Sequence, residues 1–434
     1  MATDHRTRAA GPSAREPLPR VPFTVADEIA RHCADAREPN TVHIELHLPG
    51  RVARDRLREA FEQALARHPR VLMRERRRGP FALRHEWELT GRARADVVVF
   101  PPCEAGALAR ARHRALAEPP SLAAPPPLRL EVVEEPDREG CVLLLTLHHT
   151  ALDGPAGLRV VATAAELYGG RSAPPAAPPV RPPAGAAPRP GGLGAAVARV
   201  AAGRPGPVPG NAMLVTELPV PRRPSGAAHT VNDQLMVATA LTVAGWNRHR
   251  GAPERPLRIT MPVDDRNRGP AMPIGNGTRL VEVDYAAAEV RPGTDVGALL
   301  RATAGRTRAL KSLDRPQLGR TAQLLTAPVV PVAARAVLAR GARRLGARWI
   351  STTLLSNIGR IPYPMDFGDA GRATAVWVSA PAAMPRGLTF TTASTGGRLH
   401  LVVRWSRALL GDEDGRRITE IFADRLAATD AEAL

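Results

Sequence analysis

Residues 169–210 limit how the rest of the chain can be arranged. Their centre, RSAPPAAPPVRPPAGAAPRPGG, is almost wholly Pro, Ala, Gly and Arg and has no apolar period. Proline cannot donate a backbone hydrogen bond, so neither a helix nor a sheet ladder propagates through such a run. On both sides, apolar residues recur with helix and strand periods, and 44% of the 434 residues are hydrophobic, enough for a packed core in each part. The chain therefore reads as two α+β lobes. A loose lead-in covers residues 1–20, a first lobe 21–172, a linker 173–210 and a second lobe 211–434.

Residues 41–48, TVHIELHL, alternate apolar and polar, which predicts a strand. Residues 55–68 place Leu57, Ala60, Phe61, Ala64 and Leu65 at helical spacing, with Asp55 as N-cap. Strands are expected at 71–77 and 81–87, and a short helix over 104–117. Two more strands follow at 128–134 and 141–147; the second is almost wholly apolar, which places it centrally in a sheet. In the second half, strands at 212–218, 258–263, 278–284, 352–357, 373–379, 388–393 and 398–405 accompany helices at 231–248, 298–310, 332–345 and 415–428. Thr230 or Asn232 caps the first of these helices.

The formal charge is +18, from 60 Lys+Arg against 42 Asp+Glu. Lys311 is the sole lysine, so the preference for arginine reads as the coding bias of a GC-rich genome. The excess of base over acid is a separate matter and favours anionic partners. Nucleic acid is disfavoured among them, because the arginines are scattered and few aromatics are available to stack bases. Cys33, Cys103 and Cys141 form no CxxC, which argues against a disulfide framework and a cysteine zinc site. The first 20 residues hold no apolar signal segment, and no uncharged apolar run is long enough to span a bilayer. These features lead to the expectation of a soluble, cytoplasmic protein.

One segment carries chemistry: LLLTLHHTALDGPAGLRVVATAAELYGG, residues 143–170. It sets His148, His149, Asp153 and Gly154 in the spacing H-H-x-x-x-D-G, between an apolar strand and a helix that has Pro155 in its first turn. Consecutive side chains on a strand face opposite ways, so both histidines cannot serve one site unless the strand has already ended. One is structural and the other reactive, and a neutral imidazole at a strand end can take a proton from an attacking hydroxyl or amine near neutral pH. Asp153 follows too closely to be a triad partner. It instead fixes the loop, through a helix cap or a salt bridge.

HHTALDG resembles the HHxxxDG signature of the condensation-domain and chloramphenicol acetyltransferase-like acyltransferase superfamily. Further segments resemble that superfamily in the same order along the chain: ALARHPRVLMRER (64–76), TVNDQLMVATALTVAGW (230–246), MPVDDRNR (261–268), PIGNGTRLVEV (273–283), LLSNIGRIP (354–362) and GRLHLVVRWSRALLGDEDGRRI (397–418). The resemblance implies two chloramphenicol acetyltransferase-like lobes in a V-shaped pseudo-dimer, with the active site in a tunnel between them. It implies that His149 is the catalytic base and His148 its structural neighbour, and that Gly154 leaves room for the acyl-carrying arm. It also implies an arginine partner for Asp153; Arg266 matches, with Arg268 equally close in sequence. Where plant-type members carry Asp-Phe-Gly-Trp-Gly, this chain has Asp366, Phe367 and Gly368 followed by Asp369 and Ala370, so that motif has no role here beyond a turn.

The function implied is acyl transfer from a phosphopantetheine thioester, on coenzyme A or on an acyl or peptidyl carrier protein. The acceptor is a small alcohol or amine and the product an ester or amide, in bacterial secondary metabolism or lipid synthesis. No bound cofactor and no metal are expected, and the chain is expected to be a monomer. Two other classes are a non-catalytic recruitment module and a basic nucleic-acid-binding protein. Arg335, Arg340, Arg343, Arg344 and Arg348 mark a basic amphipathic helix that would suit an anionic membrane or an acidic carrier. No Walker A, GxSxG, HExxH or GxGxxG pattern occurs in a fitting context.

Overall fold

The structure is a computed structural model, and it describes residues 18–93, 96–171, 196–313 and 318–430. The first part contains β1 (Arg20–Pro22), α1 (Val25–His32), β2 (Thr41–Leu48), α2 (Arg54–Arg67), β3 (Met73–Glu75) and β4 (Glu86–Leu89). It continues with β5 (Val98–Val99), α3 (Ala107–Ala117), β6 (Leu128–Val133), β7 (Cys141–His148) and α4 (Gly154–Tyr168). The second part opens with β8 (Asn211–Pro219), α5 (Val231–His249), β9 (Leu257–Val263), β10 (Arg279–Tyr285), α6 (Val296–Ser312) and α7 (Gly319–Leu325). It closes with α8 (Val332–Leu345), β11 (Thr353–Arg360), β12 (Ala375–Ser379), β13 (Leu388–Thr395), β14 (Arg398–Ser406) and α9 (Asp412–Ala427).

Two larger sheets organise these elements, in the order β12-β2-β7-β6-β5 and β10-β9-β11-β13-β14-β8. A small sheet, β1-β4-β3, flanks the first. β7 lies at the middle of its five-stranded sheet, and Cys141 to Leu147 are all buried, as a strand covered on both faces requires. β12 comes from the second half of the chain, yet it pairs antiparallel with β2, from Ala375 opposite His47 to Ser379 opposite His43. Val376 and Val378 consequently join the first lobe's core, along with Tyr363, Met365 and Phe367.

Four local expectations change. Asp55 is not an N-cap: α2 starts one residue earlier, after Ala53, which carries no capping side chain and instead donates its N–H to the Tyr168 hydroxyl at 2.9 Å. The strands expected at 71–77 and 81–87 shrink to β3 and β4, because Pro69 opens a short 3-10 turn and Phe81 stands in solvent at 84% exposure. The Pro-rich stretch falls partly outside the described residues, at 172–195, but residues 196–206 dock on the second lobe. Ala198 N–H donates to the Pro256 carbonyl and Gly203 N–H to that of Leu409. The helix expected at 415–428 begins at Asp412, with Asp412, Glu413 and Asp414 in its first turn, where acidic groups suit the helix dipole.

Thr230, rather than Asn232, caps α5, sharing a capping box with Asp233. α8 has the bounds expected for it. Of its arginines, Arg335 is buried and bound to Glu28 at 2.9 Å, while Arg340 and Arg344 face solvent. Asp366, Phe367 and Gly368 form a turn in which Asp366 accepts from the Gly368 N–H at 2.9 Å. No helix among the described residues is long and apolar enough to cross a membrane.

Candidate active site

β7 delivers the histidines to the place where the two lobes meet. The strand ends at His148, and the chain turns at once: the N–H groups of Ala151 and Leu152 both donate to the His148 carbonyl, at 2.9 and 3.2 Å. His149 therefore lies beyond the pleat, and the alternation of side chains no longer dictates where it points. Its backbone N–H donates to the Asn40 carbonyl at 2.8 Å. Its Nδ1 lies 3.1 Å from the Leu152 carbonyl, which can only accept, so Nδ1 carries the proton and Nε2 keeps its lone pair. Nε2 has no partner among the described residues.

Burial lowers the pKa of His149, although the Leu152 carbonyl and Asp153 favour its charged form. His148 is pushed down to about 4, chiefly by burial and then by His149 and Arg31. Its Nδ1 accepts from the Thr150 N–H at 3.2 Å. Both rings are neutral at ordinary pH, but only His149 lines the cavity described below.

Asp153 is the N-cap of α4 and accepts from the Ala156 N–H at 3.0 Å. Arg266, in the loop after β9, donates Nη2 to both Asp153 oxygens at 2.9 and 2.8 Å. The N–H groups of Gly277 and Thr278 add bonds of 2.9 and 3.3 Å. Arg268 makes no contact with Asp153, so geometry separates two arginines that sequence could not. Burial opposes the charge on Arg266, but the carboxylates of Asp153 and Asp264 outweigh it and raise its pKa. Gly277 packs flat on this guanidinium: a Cβ there would lie 2.5 Å from three Arg266 atoms.

A cavity of about 260 Å³ opens between the lobes. Asn40, Val42, His149 and Gly154 line it from the first lobe, and Pro262, Thr278, Leu354 and Ser356 from the second. A second cavity of about 490 Å³ shares Pro262, Asp264, Arg268 and Asn357 with it and reaches Arg308 and Lys311. A third, of about 560 Å³, also touches Asn357. Asn357 thus borders all three cavities, and His149 lines the first of them. No group of three His, Cys, Asp or Glu side chains gathers as a metal site among the described residues.

Three side chains gain roles that sequence reasoning did not assign. Asn276 donates Nδ2 to the carbonyls of His149 and Thr150 at 3.0 and 2.9 Å, tying the second lobe to the histidine loop. It lies in the Ile-Gly-Asn segment, so a signal existed. Asn357 lies in the Ser-Asn-x-Gly strand; its Oδ1 accepts from Gly359 N–H and Thr392 Oγ1 at 2.9 and 3.1 Å. Arg386, also in the cavity wall, has no motif around it.

No family model matches the chain. It is 31% identical over 421 residues to the uncharacterized protein Rv2305 of Mycobacterium tuberculosis strain H37Rv, covering 89% of this chain and 94% of that one. The uncharacterized protein MT2362 of strain CDC 1551 matches with the same figures. Among solved structures, the condensation domain of the monacolin K polyketide synthase MokA aligns with TM-score 0.63 at 15% identity, over 96% of this chain and 99% of that one. The first condensation domain of the CDA synthetase gives 0.63 at 16% identity, over 96% and 97%. The starter condensation domain of rhizomide synthetase RzmA, in complex with C8-CoA and Leu-SNAC, gives 0.60 at 14%, over 94% of each. The chain has the two-lobed condensation-domain fold, and it belongs to one family with the mycobacterial proteins that it matches.

Proposed function

We propose that the protein is a condensation-type acyltransferase whose general base is His149. One lobe spans 21–172 and the other 211–434, and the reaction takes place where they meet. The observation that carries this reading is the bare Nε2 of His149, on a ring pinned through Nδ1 in the wall of the inter-lobe cavity. An acyl group enters as a phosphopantetheine thioester, on coenzyme A or a carrier protein, and a hydroxyl or amine enters from another side. Nε2 takes the acceptor's proton as its oxygen or nitrogen attacks the thioester carbonyl. The new C–O or C–N bond forms, the C–S bond breaks, and the proton passes to the departing thiolate. The lowered pKa of His149 keeps Nε2 unprotonated near neutral pH.

Asp153 and Arg266 hold the loop and do not touch the reacting atoms. Gly154 keeps the cavity open beside the ring, and His148 supports its neighbour. With an acyl-CoA or loaded carrier and an accepted acceptor, His149→Ala is expected to lower kcat/KM by about 10²–10⁴-fold. Full activity in that variant would overturn the assignment. Binding of a carrier without turnover, unchanged by the substitution, would identify a recruitment module instead.

A further inference from the structure

Three of the four buried arginines among the described residues, Arg159, Arg279 and Arg335, are matched with carboxylates, as is Arg266 with Asp153. The cavity beside His149 holds three half-buried arginines that are not. Arg268, Arg343 and Arg386 line it, and none of them has a carboxylate within salt-bridge distance among the described residues. Arg386 donates Nε and Nη2 to the Ser351 hydroxyl at 3.1 and 2.8 Å, and Nη2 to that of Thr260 at 3.3 Å. Its Nη1 has no partner there. Arg343 gives one bond to the Met384 carbonyl, and the buried Nε of Arg268 has none.

The two carboxylates in the same wall, Asp153 and Asp264, are both occupied by Arg266. Burial first, then Arg343, work against the charge on Arg386; Glu282 opposes them and Arg199 adds to them, and the outcome is a pKa lowered to about 10. Arg404, deeply buried and also without a carboxylate contact, shows the contrast. It gives its donors to Asn211 Oδ1 and the carbonyls of Thr41 and Pro39, and it lines none of the three cavities described above. Like charges gathered in a partly desolvated wall cost free energy unless an anion joins them. The planar fork of arginine fits a carboxylate or phosphate with two parallel bonds.

We propose that Arg268, Arg343 and Arg386 form an oxyanion subsite, receiving a carboxylate or phosphate carried by the substrate that reaches His149. This names a substrate class for the site assigned above and rests on that reading for the reaction, though not for binding. The test is calorimetric titration of the full chain at constant ionic strength in chloride. Succinate serves as the carboxylate probe and 4′-phosphopantetheine as the phosphate probe.

The expected result is saturable binding of at least one probe, weakened about tenfold or more by Arg386→Gln and by Arg343→Gln. Arg77→Gln, at an exposed arginine, should leave it unchanged. The probe that binds identifies the source of the anion. Arg386→Lys keeps the charge and should retain part of the binding. Should Arg386→Gln fail to fold, Arg343→Gln, on the half-exposed α8, decides. No saturable binding of either probe, or equal binding by all variants, overturns the subsite. His149→Ala should leave anion binding intact, so failure here and failure of the acyl-transfer reading are separable.

Discussion

The Asp153 carboxylate accepts hydrogen bonds from four of the described residues, and His149 is not among them. Its work is to hold the end of β7, the start of α4 and the 273–278 loop in one arrangement. Asp153→Ala should therefore destabilise the fold by about 3 kcal/mol, since it leaves Arg266 with Asp264 as its one carboxylate. Asp153→Asn, which can still cap α4, should lose less; denaturant midpoints would rank the two.

A second residue-scale effect follows from buried neutral imidazoles. Burial pushes His68 and His148 down from 6.5 to about 4. As pH falls below 6.5, the unfolded chain protonates first and binds more protons than the folded one, so stability falls between about 6.5 and about 4 and is unaffected by these groups above that window. Thermal midpoints measured across the window should drop, and His68→Gln should flatten part of the slope. A level profile would contradict this.

At the scale of elements, what could be read from sequence depended on whether the cause was local. β2, β6, β7 and α8 follow from their local apolar patterns, which record burial within one short segment: a buried strand run in β7 and a helical period in α8. The histidine loop was legible because its four key residues fall within seven positions. β3 and β4 were overestimated because their apolar residues are spent on an exposed loop tip and a 3-10 turn. α7 has too short a period to register. The choice between Arg266 and Arg268 depends on how a loop curls, which no spacing records. Arg386 is one arginine among many, and only its position beside two other unmatched guanidiniums distinguishes it.

At the scale of the molecule, further contacts clasp the lobes beside the site. Arg404 on β14 donates to the carbonyls of Thr41 and Pro39 at the head of β2, at 2.8 and 3.2 Å. Glu38 accepts from the Ser406 hydroxyl and from the Met384 N–H. Trp377 stands edge-on between His47 of one lobe and His400 of the other. Arg404→Met should cost about 3 kcal/mol, because it leaves buried carbonyls without donors. It should also reduce turnover despite the residue's absence from the cavity, because the head of β2 continues directly from Asn40, which holds His149. Unaltered kcat/KM in a destabilised variant would show that this clasp and the site are independent.

The pairing of β12 with β2 sets a timetable for the ribosome. The first lobe's core strands are synthesised early, but the edge of β2 has no neighbour until Ala375–Ser379 have emerged, when most of the chain has been made. Throughout that interval the nascent chain carries an open strand edge, the kind of surface that recruits chaperones or pairs with another copy of itself. Severing the chain within its Pro-rich stretch would make that vulnerable interval permanent, so the histidine loop can take its final form only after the second half has been translated.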